Sequence, residues 1–436
     1  MGTATAREGR GMDREPPAAR NLRVLRPRRR RAHGGRRSHL RHVSDDPVLL
    51  QRAPATGHRR ACVARPRGAV RTPQAAPAAG RATSMNARPR IAVLTPFAAS
   101  QQVGGVEVFN ECLRAALGDF ETFADGRPEA GAPYGDLRRV GLQQPVGALR
   151  AARGLLRRHR QEPFDLILSN GVYGWPLTLA KPDVPLVQVY HFTMAGLARH
   201  ALTLRGDRWT TGHVTAFFDR VAGIGKHVVA ISPRVLREVE AFYGLRGRLI
   251  PHAVDTNAFR PVDRATARES LDLPRDRAIG LFVGRPDATK GYDVLLRVAR
   301  AMPEVLFLVA GAPAARDDNV WSIGQIAHDD MPRWYSASDF FFFPSRYEGF
   351  GLALLEALSC DLPAIVSKSA WPFAEGPEQC GIVVDGNSEG GFVRAIRSVL
   401  SNRRNFSPRD FVLPRYDREV FADRWRAFIQ GVLEAN

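Results

Sequence analysis

Two glutamates flank a glycine-rich turn in the C-terminal half of the chain. The segment Pro344 to Glu356 reads PSRYEGFGLALLE, so that seven residues separate Glu348 from Glu356. A Gly-Phe-Gly turn opens a helix with bare backbone N–H groups and the positive end of the helix dipole, which suits a phosphate or a carboxylate. The two carboxylates accept hydrogen bonds from hydroxyls, so this pattern fits a phosphorylated polyhydroxy ligand. The alternative is a plain strand, turn and amphipathic helix with two surface glutamates.

A second group of charged residues precedes this segment. The apolar run Ala278 to Val283 ends in Gly284-Arg285, and Thr289-Lys290-Gly291-Tyr292 follows before a helix-like pattern. Arginine offers a planar fork of donors and lysine a mobile point charge, and together they suit a diphosphate that gains charge as it departs. Each could instead be a solvated surface cation. Their spacing relative to the two glutamates favours an anion site.

These motifs resemble those of the retaining glycosyltransferases with the GT-B fold, the glycogen-synthase-like family four (glycosyl transferases group one). The resemblance covers about residues 88–436 and rests on E-x7-E and on G-R-x4-K-G. It implies an α/β protein with two facing Rossmann-like, doubly wound parallel-sheet domains and a C-terminal helix that crosses back to the first domain. It also implies transfer of a sugar from a nucleotide-diphosphate-sugar donor to an acceptor hydroxyl, with retention of the anomeric configuration. The acceptor would be a glycan, a lipid-linked molecule or a small molecule.

The resemblance also assigns roles to single residues. Arg285 and Lys290 bind the diphosphate, Glu348 holds the donor sugar, Glu356 holds the ribose hydroxyls, and His191 lies near the sugar. Further donor-binding positions are Gly105, Gly284, Gln325, Ile326, Gly349, Phe350, Gly351 and Leu352. The Gly104-Gly105 pair could be only a tight strand-to-helix turn, His191 a core histidine, and Gln325-Ile326 a plain loop. We expect no cofactor and no metal, because Arg285, Lys290 and a helix N-terminus already neutralise the diphosphate, and Asp329-Asp330 fit the start of a helix.

Strand-like and helix-like segments alternate from Arg90 onward, which is typical of doubly wound α/β domains. The predicted strands are 90–95, 164–169, 185–191, 227–232 and 249–251 in the first half, then 278–283, 305–310, 339–343, 364–367 and 381–384 in the second. We predict an N-terminal acceptor-side domain at 85–254, a nucleotide-sugar-binding domain at 255–415 and a crossover helix at 416–436. Ligands bind at the carboxyl ends of strands in such sheets, where the candidate residues fall.

The charge of the chain is unevenly distributed. The 436 residues have a net charge of +19, and residues 1–84 contribute +15 of it through 20 arginines, no lysines and five acidic residues. The rest of the chain is close to neutral, which argues against nucleic acid as a partner of the folded body. Residues 1–84 are rich in Arg, Pro, Ala and Gly and should be disordered. Either this leader is a basic arm for nucleic acid or anionic lipid, or, as we favour, translation starts at Met85.

Cysteine usage and hydropathy indicate the compartment. The four cysteines, at positions 62, 112, 360 and 380, have no paired spacing, and no stretch of about eighteen apolar residues exists. We therefore expect a cytoplasmic protein, with peripheral contact at the inner face of the membrane as an option. The basic amphipathic segment Val146 to Arg160 could supply such a contact, although we favour a helix that covers the sheet.

Two other functions remain open at this point. A sugar-nucleotide epimerase can share the fold, and it would convert its nucleotide sugar without any acceptor. A nucleic-acid-binding protein would depend on the leader alone, so that binding would not survive removal of residues 1–84.

Overall fold

The computed structural model describes residues 89–96, 105–125, 143–202 and 204–435. All of them belong to one compact unit, Arg81–Asn436. The predicted leader, the start at Met85 and Gly104 lie outside the described residues and stay predictions.

The first sheet has six parallel strands in the order β2-β1-β3-β4-β5-β6. These strands are β1 (Ile91–Leu94), β2 (Glu121–Phe123), β3 (Leu166–Asn170), β4 (Leu186–Tyr190), β5 (His227–Ala230) and β6 (Arg248–Leu249). Its helices are α1 (Gly105–Leu117), α2 (Gln143–Gln161), α3 (Trp175–Ala180), α4 (Met194–His200), α5 (Arg205–Trp209), α6 (Ala216–Gly223) and α7 (Pro233–Glu238). The central strands are buried on both faces, as parallel sheets covered by helices are.

The second sheet has seven strands in the order β13-β12-β11-β7-β8-β10-β9, all parallel except β9, which runs antiparallel to β10. They are β7 (Ala278–Val283), β8 (Val305–Ala310), β9 (Ala315–Asp317), β10 (Val320–Gly324), β11 (Phe340–Phe343), β12 (Ala364–Ser367) and β13 (Gly381–Val384). The accompanying helices are α8 (Arg264–Ser270), α9 (Tyr292–Ala301), α10 (Met331–Ala337), α11 (Leu352–Ser359), α12 (Pro377–Cys380), α13 (Glu389–Asn402), α14 (Pro408–Tyr416) and α15 (Arg418–Glu434). Along β11, Phe340 and Phe342 pack with α9 and α13, whereas Phe341 and Phe343 pack with α10 and α11.

The last helix, α15, leaves the second sheet and packs on α1. Phe421 and Trp425 place their rings 5.9 and 5.6 Å from that of Phe109, and Arg426 Nε donates a hydrogen bond to the Ala116 carbonyl at 2.9 Å. The predicted crossover helix is therefore confirmed, although it begins at Arg418 rather than at residue 416. The two Rossmann-like sheets and this helix make up the GT-B fold. The exact domain boundaries stay a prediction.

The ten predicted strands are all present: four have the predicted bounds, and six differ by one or two residues at one or both ends. Three strands were missed: β2, β9 and β10. The hairpin of β9 and β10 turns through Asp318 and Asn319, and the φ of Asp318, 37°, is left-handed. Asp330 is the residue before α10, but its carboxylate accepts from Arg333 at 2.8 Å rather than capping the helix.

Helix α2 covers the first sheet. Ala148, Ala151, Ala152 and Leu155 are buried in a cluster with β1 and β3, while Arg150 and Arg158 form ion pairs with Asp125 and Glu121. This placement agrees with the sheet-covering interpretation. None of the described helices has the length and apolar character needed to span a membrane.

Candidate functional site

The loops after β7 and β11 are fixed side by side. The Arg346 backbone N–H donates to the Thr289 carbonyl at 2.8 Å, and its guanidinium donates twice to Asp293, at 2.6 and 2.8 Å. These bonds lower the pKa of Asp293 to about 2, so it stays ionised. Gly291 has a φ of 74°, and a Cβ there would lie 2.2 Å from the Pro344 carbonyl oxygen. Only glycine permits this close approach.

The two loops bring the predicted charged residues together. Lys290 Nζ donates to Glu348 Oε1 at 2.7 Å, and their side chains are only 25% and 9% exposed. Asp287 links Lys290 to Arg285. Its carboxylate accepts hydrogen bonds from the Lys290 backbone N–H at 3.0 Å and from Arg285 Nε at 2.9 Å. Arg285 stays partly exposed at the end of β7. The structure therefore places Arg285, Lys290 and Glu348 in one charged cluster.

Glu356 is held by two residues that the sequence did not point to. Tyr335 donates its hydroxyl hydrogen to Oε2 at 2.8 Å, and His328 Nε2 lies 3.0 Å from Oε1. The hydrogen bond to Glu356 raises the pKa of His328 above its usual value. Because Glu356 is largely buried and Tyr335 fully so, the carboxylate has a fixed orientation.

The starts of two helices converge on the charged cluster. A Cβ on Gly105, at the start of α1, would lie 3.5 Å from Leu352 Cδ1 at the start of α11. Gly351, which precedes α11, has a φ of 85°. The N-termini of α1 and α11, which belong to different domains, therefore lie next to each other. The Phe350 side chain, in contrast, is buried in an aromatic cluster with His252 and Phe373, so only its backbone faces this region.

Gly349 is a point of close approach between the two domains. A Cβ there would lie 1.9 Å from the His191 carbonyl oxygen, and the Gly349 carbonyl accepts a hydrogen bond from Ser232 Oγ at 2.6 Å. The neighbouring Tyr347 donates to Glu238 Oε2 at 2.8 Å, an atom that Thr193 Oγ1 also reaches at 2.6 Å. The loop that carries Glu348 is therefore bonded directly to the first domain. No motif in the sequence predicts the contact between Tyr347 and Glu238.

His191 follows β4 and is buried. Its Nε2 lies 2.9 Å from Asn170 Oδ1, and burial lowers its pKa to about 3, so the imidazole is neutral at ordinary pH. Because an amide oxygen only accepts, Nε2 carries the hydrogen and Nδ1 is an acceptor. Among the described residues, Nδ1 has no hydrogen-bond partner. His191 can thus accept a hydrogen bond without titrating.

The remaining predicted positions lie at the same edge of the second sheet. Gln325 is exposed after β10, and its Nε2 makes a long 3.4 Å contact with the Gly311 carbonyl, whereas Ile326 is half-buried against the core. Gly284 directly follows β7 and lies against the Lys290 side chain. No group of three or more metal-ligating residues that could hold an ion occurs in the part of the chain that the structure describes.

Comparisons with known proteins agree with this architecture. The profile of Glycosyltransferase Family 4 matches residues 103–258, and that of Glycosyl transferases group 1 matches residues 263–411. The chain is 29% identical over 336 residues to D-inositol 3-phosphate glycosyltransferase 2 of Catenulispora acidiphila, covering 68% of this chain and 77% of that protein. It is also 29% identical over 341 residues to the D-inositol 3-phosphate glycosyltransferase of Mycobacterium tuberculosis (strain ATCC 25177 / H37Ra), covering 71% and 70%.

Solved structures show the same fold. Sucrose-phosphate synthase from Thermosynechococcus elongatus aligns with a TM-score of 0.67 at 22% identity, over 80% of this chain and all of that one. HepE of Anabaena in complex with UDP and glucose aligns with a TM-score of 0.59 at 16% identity, over 78% and 99%. With the two sheets, the crossover helix and the two matching profiles in place, the chain belongs to glycosyltransferase family 4, the group 1 glycosyl transferases with the GT-B fold.

Proposed function

We propose that this glycosyltransferase moves a sugar from a nucleotide-diphosphate-sugar donor to an acceptor hydroxyl with retention of the anomeric configuration. The observation that carries the proposal is the contact between Lys290 and Glu348. It puts a cation and a carboxylate side by side in front of the α11 N-terminus, as a ligand with both phosphates and sugar hydroxyls requires. The solved complex of HepE with UDP and glucose, which has the same fold, supports a donor of this class.

Each residue of the charged cluster, and each of Glu356 and His191 nearby, then has a separate role. Arg285 and Lys290 bind the diphosphate and neutralise the charge that develops as it leaves. Glu348 accepts hydrogen bonds from the donor sugar. Glu356, oriented by Tyr335 and His328, accepts hydrogen bonds from the ribose hydroxyls. The neutral His191 accepts a hydrogen bond from a sugar or acceptor hydroxyl at Nδ1.

Retention is proposed through a front-face substitution. A double displacement needs one carboxylate as nucleophile and a second as acid and base. Glu348 is bonded to Lys290 and Glu356 to Tyr335 and His328, so neither is arranged for those tasks. The leaving phosphate would accept the proton of the acceptor hydroxyl, and catalysis would come mainly from positioning and charge stabilisation.

A panel of nucleotide sugars tests the donor class. The matching donor should raise the melting temperature, because a ligand that binds only the folded state stabilises it. The product formed with a glycan, lipid-linked or small-molecule acceptor is then analysed by NMR for its anomeric configuration, and inversion would contradict the proposed mechanism. Conversion of the nucleotide sugar in the absence of any acceptor would indicate an epimerase instead.

A further inference from the structure

A separate cavity of about 420 Å³ opens at the amino-terminal edge of the second sheet. Its charged lining consists of Arg264, Arg268, Arg275, Arg277, Asp276 and Asp339. Strand β7 begins here at Ala278 and ends at Val283, directly before Gly284. Since a strand rises by about 3.3 Å per residue, the cavity is roughly 20 Å from the loops that hold Lys290 and Glu348.

The Asp339 carboxylate binds three guanidinium groups: those of Arg264 and Arg268, which line the cavity with it, and that of Arg403, which lies behind the lining residues. Asp339 accepts hydrogen bonds from Arg264 at 2.5 Å, from Arg268 at 2.7 Å and from Arg403 at 3.2 Å. We call these four residues the arginine cluster. Of the other charged groups nearby, Arg275 is neutralised by Glu269 at 3.2 Å, and Asp276 and Arg277 oppose one another in sign. The cluster therefore keeps an excess of positive charge.

The three arginines differ in how many of their donors are used. Arg268 has most of its donors occupied, because besides Asp339 it donates to the carbonyls of Ala337, Arg275 and Arg277. Within the described residues, the Arg264 and Arg403 side chains hydrogen-bond to Asp339 alone. Burial and the like charge of Arg264 lower the pKa of Arg403, while the carboxylates of Asp339 and Asp361 act in the opposite direction.

We propose that the arginine cluster binds the phosphate group of a soluble phosphorylated small molecule, at a site separate from the donor cleft. The free N–H groups of Arg264 and Arg403 belong to planar forks that match the oxygens of a phosphate. Asp339, which is itself bonded to Arg268, holds both guanidinium groups in place. The volume admits a phosphorylated small molecule, since ligand pockets typically measure about 300–1,000 Å³. The apolar floor of Ala265, Ala278 and Leu400 offers a surface for its uncharged part.

Arginine modification locates the site on the unaltered full-length chain. The protein is treated with phenylglyoxal with and without inorganic pyrophosphate, and the modified peptides are quantified by mass spectrometry. Pyrophosphate should protect Arg264 and Arg403 but leave the exposed Arg300 reactive. Equal modification of Arg264 and Arg403 in both samples would overturn the proposal. Protection by vesicles that carry a phosphomonoester lipid, without protection by pyrophosphate, would overturn the assignment to a soluble ligand.

Calorimetric titration then measures the contribution of one arginine. Pyrophosphate is titrated in the presence of saturating nucleoside diphosphate, so that the proposed donor site does not contribute. Arg264 is 46% exposed and makes one ion pair, so Arg264→Gln should fold, and it should weaken pyrophosphate binding about tenfold. Arg300→Gln is the matched control and should bind as the wild type does. An Arg264→Gln affinity equal to that of the wild type would refute the site, whatever the nucleoside diphosphate does at the donor cleft.

Discussion

The substitution Glu348→Gln tests whether Glu348 binds the donor sugar while Lys290 binds the diphosphate. Their hydrogen bond of 2.7 Å joins two side chains that are 25% and 9% exposed, so solvent screens it little. A bond to a charged group contributes about 1.5–3 kcal/mol and a neutral one about 0.5–1.5 kcal/mol. Replacing the Glu348 carboxylate by an amide therefore weakens its hydrogen bond to the Lys290 ammonium by roughly 1 kcal/mol. The ammonium is then more available to the diphosphate. We expect nucleoside diphosphate affinity to stay unchanged or to rise by up to about fivefold.

Turnover, in contrast, should fall in Glu348→Gln. If Glu348 accepts hydrogen bonds from the donor sugar, the amide should lower kcat by about tenfold or more. Lys290→Met should instead weaken nucleoside diphosphate binding by roughly 10- to 150-fold, because it removes a charge-assisted contact. It also leaves the Glu348 carboxylate unpaired, so the free energy of unfolding should fall by about 1–3 kcal/mol.

Calorimetric titration with the nucleoside diphosphate, steady-state kinetics and thermal unfolding separate these effects. The exposed Glu304→Gln is the matched control and should leave all three unchanged. A tenfold loss of nucleoside diphosphate affinity in Glu348→Gln would refute the reasoning, because it would place Glu348 on the phosphate side of the donor.

Three further predictions follow from contacts around the site. Tyr335→Phe removes the 2.8 Å hydrogen bond to Glu356, so it should lower the free energy of unfolding by about 1.5–3 kcal/mol and weaken nucleoside diphosphate binding more than it lowers kcat; unchanged calorimetric affinity would argue against the ribose role. The pKa of His328 in the folded state is raised above its ordinary 6.5 by Glu356, so its stabilising contribution is complete below that pH and is lost as the pH rises through the folded-state pKa. The difference in unfolding free energy between the wild type and His328→Gln should therefore shrink as the pH rises above 6.5, and a difference independent of pH would contradict this account. Gly349→Ala places a methyl group 1.9 Å from the His191 carbonyl oxygen. It should lower the free energy of unfolding, measured with denaturant, by about 1–3 kcal/mol and reduce turnover. Gly431→Ala on the exposed face of α15 should instead raise the free energy of unfolding by about 0.5–1 kcal/mol. Equal stability of the two alanine variants would show that the domains do not meet at Gly349.

The central strands of both sheets could be predicted from the sequence because they read as apolar runs bounded by turn residues. The three missed strands have a different character. β2 has three residues at the edge of its sheet, and the three residues of β9 are all exposed. β10 is only half-buried. Such strands take their conformation from the neighbour with which they pair rather than from their own pattern.

The site was predictable where its residues lie in loops with a local sequence motif. Glycines and charges near Lys290 and Glu348 mark two strand-to-helix turns, and the sheet topology makes those turns adjacent. The partners of these residues could not be found in the same way. Tyr335 precedes Glu356 by 21 residues, and Glu238 precedes Tyr347 by 109, so neither spacing corresponds to a local motif. Tyrosine is also common in cores, and its type alone indicates no contact with a carboxylate.

The crossover of α15 has a consequence for the order of folding. Phe109 on α1 is covered by Phe421 and Trp425, and Arg426 bonds to a carbonyl 310 positions earlier. The first domain therefore emerges from the ribosome with one side of α1 exposed to solvent. This side stays exposed while the entire second domain is synthesised. An N-terminal fragment expressed alone would keep this apolar surface in contact with water and should aggregate. Independent folding of the first domain would require a substitute for α15, such as the same helix supplied as a separate peptide.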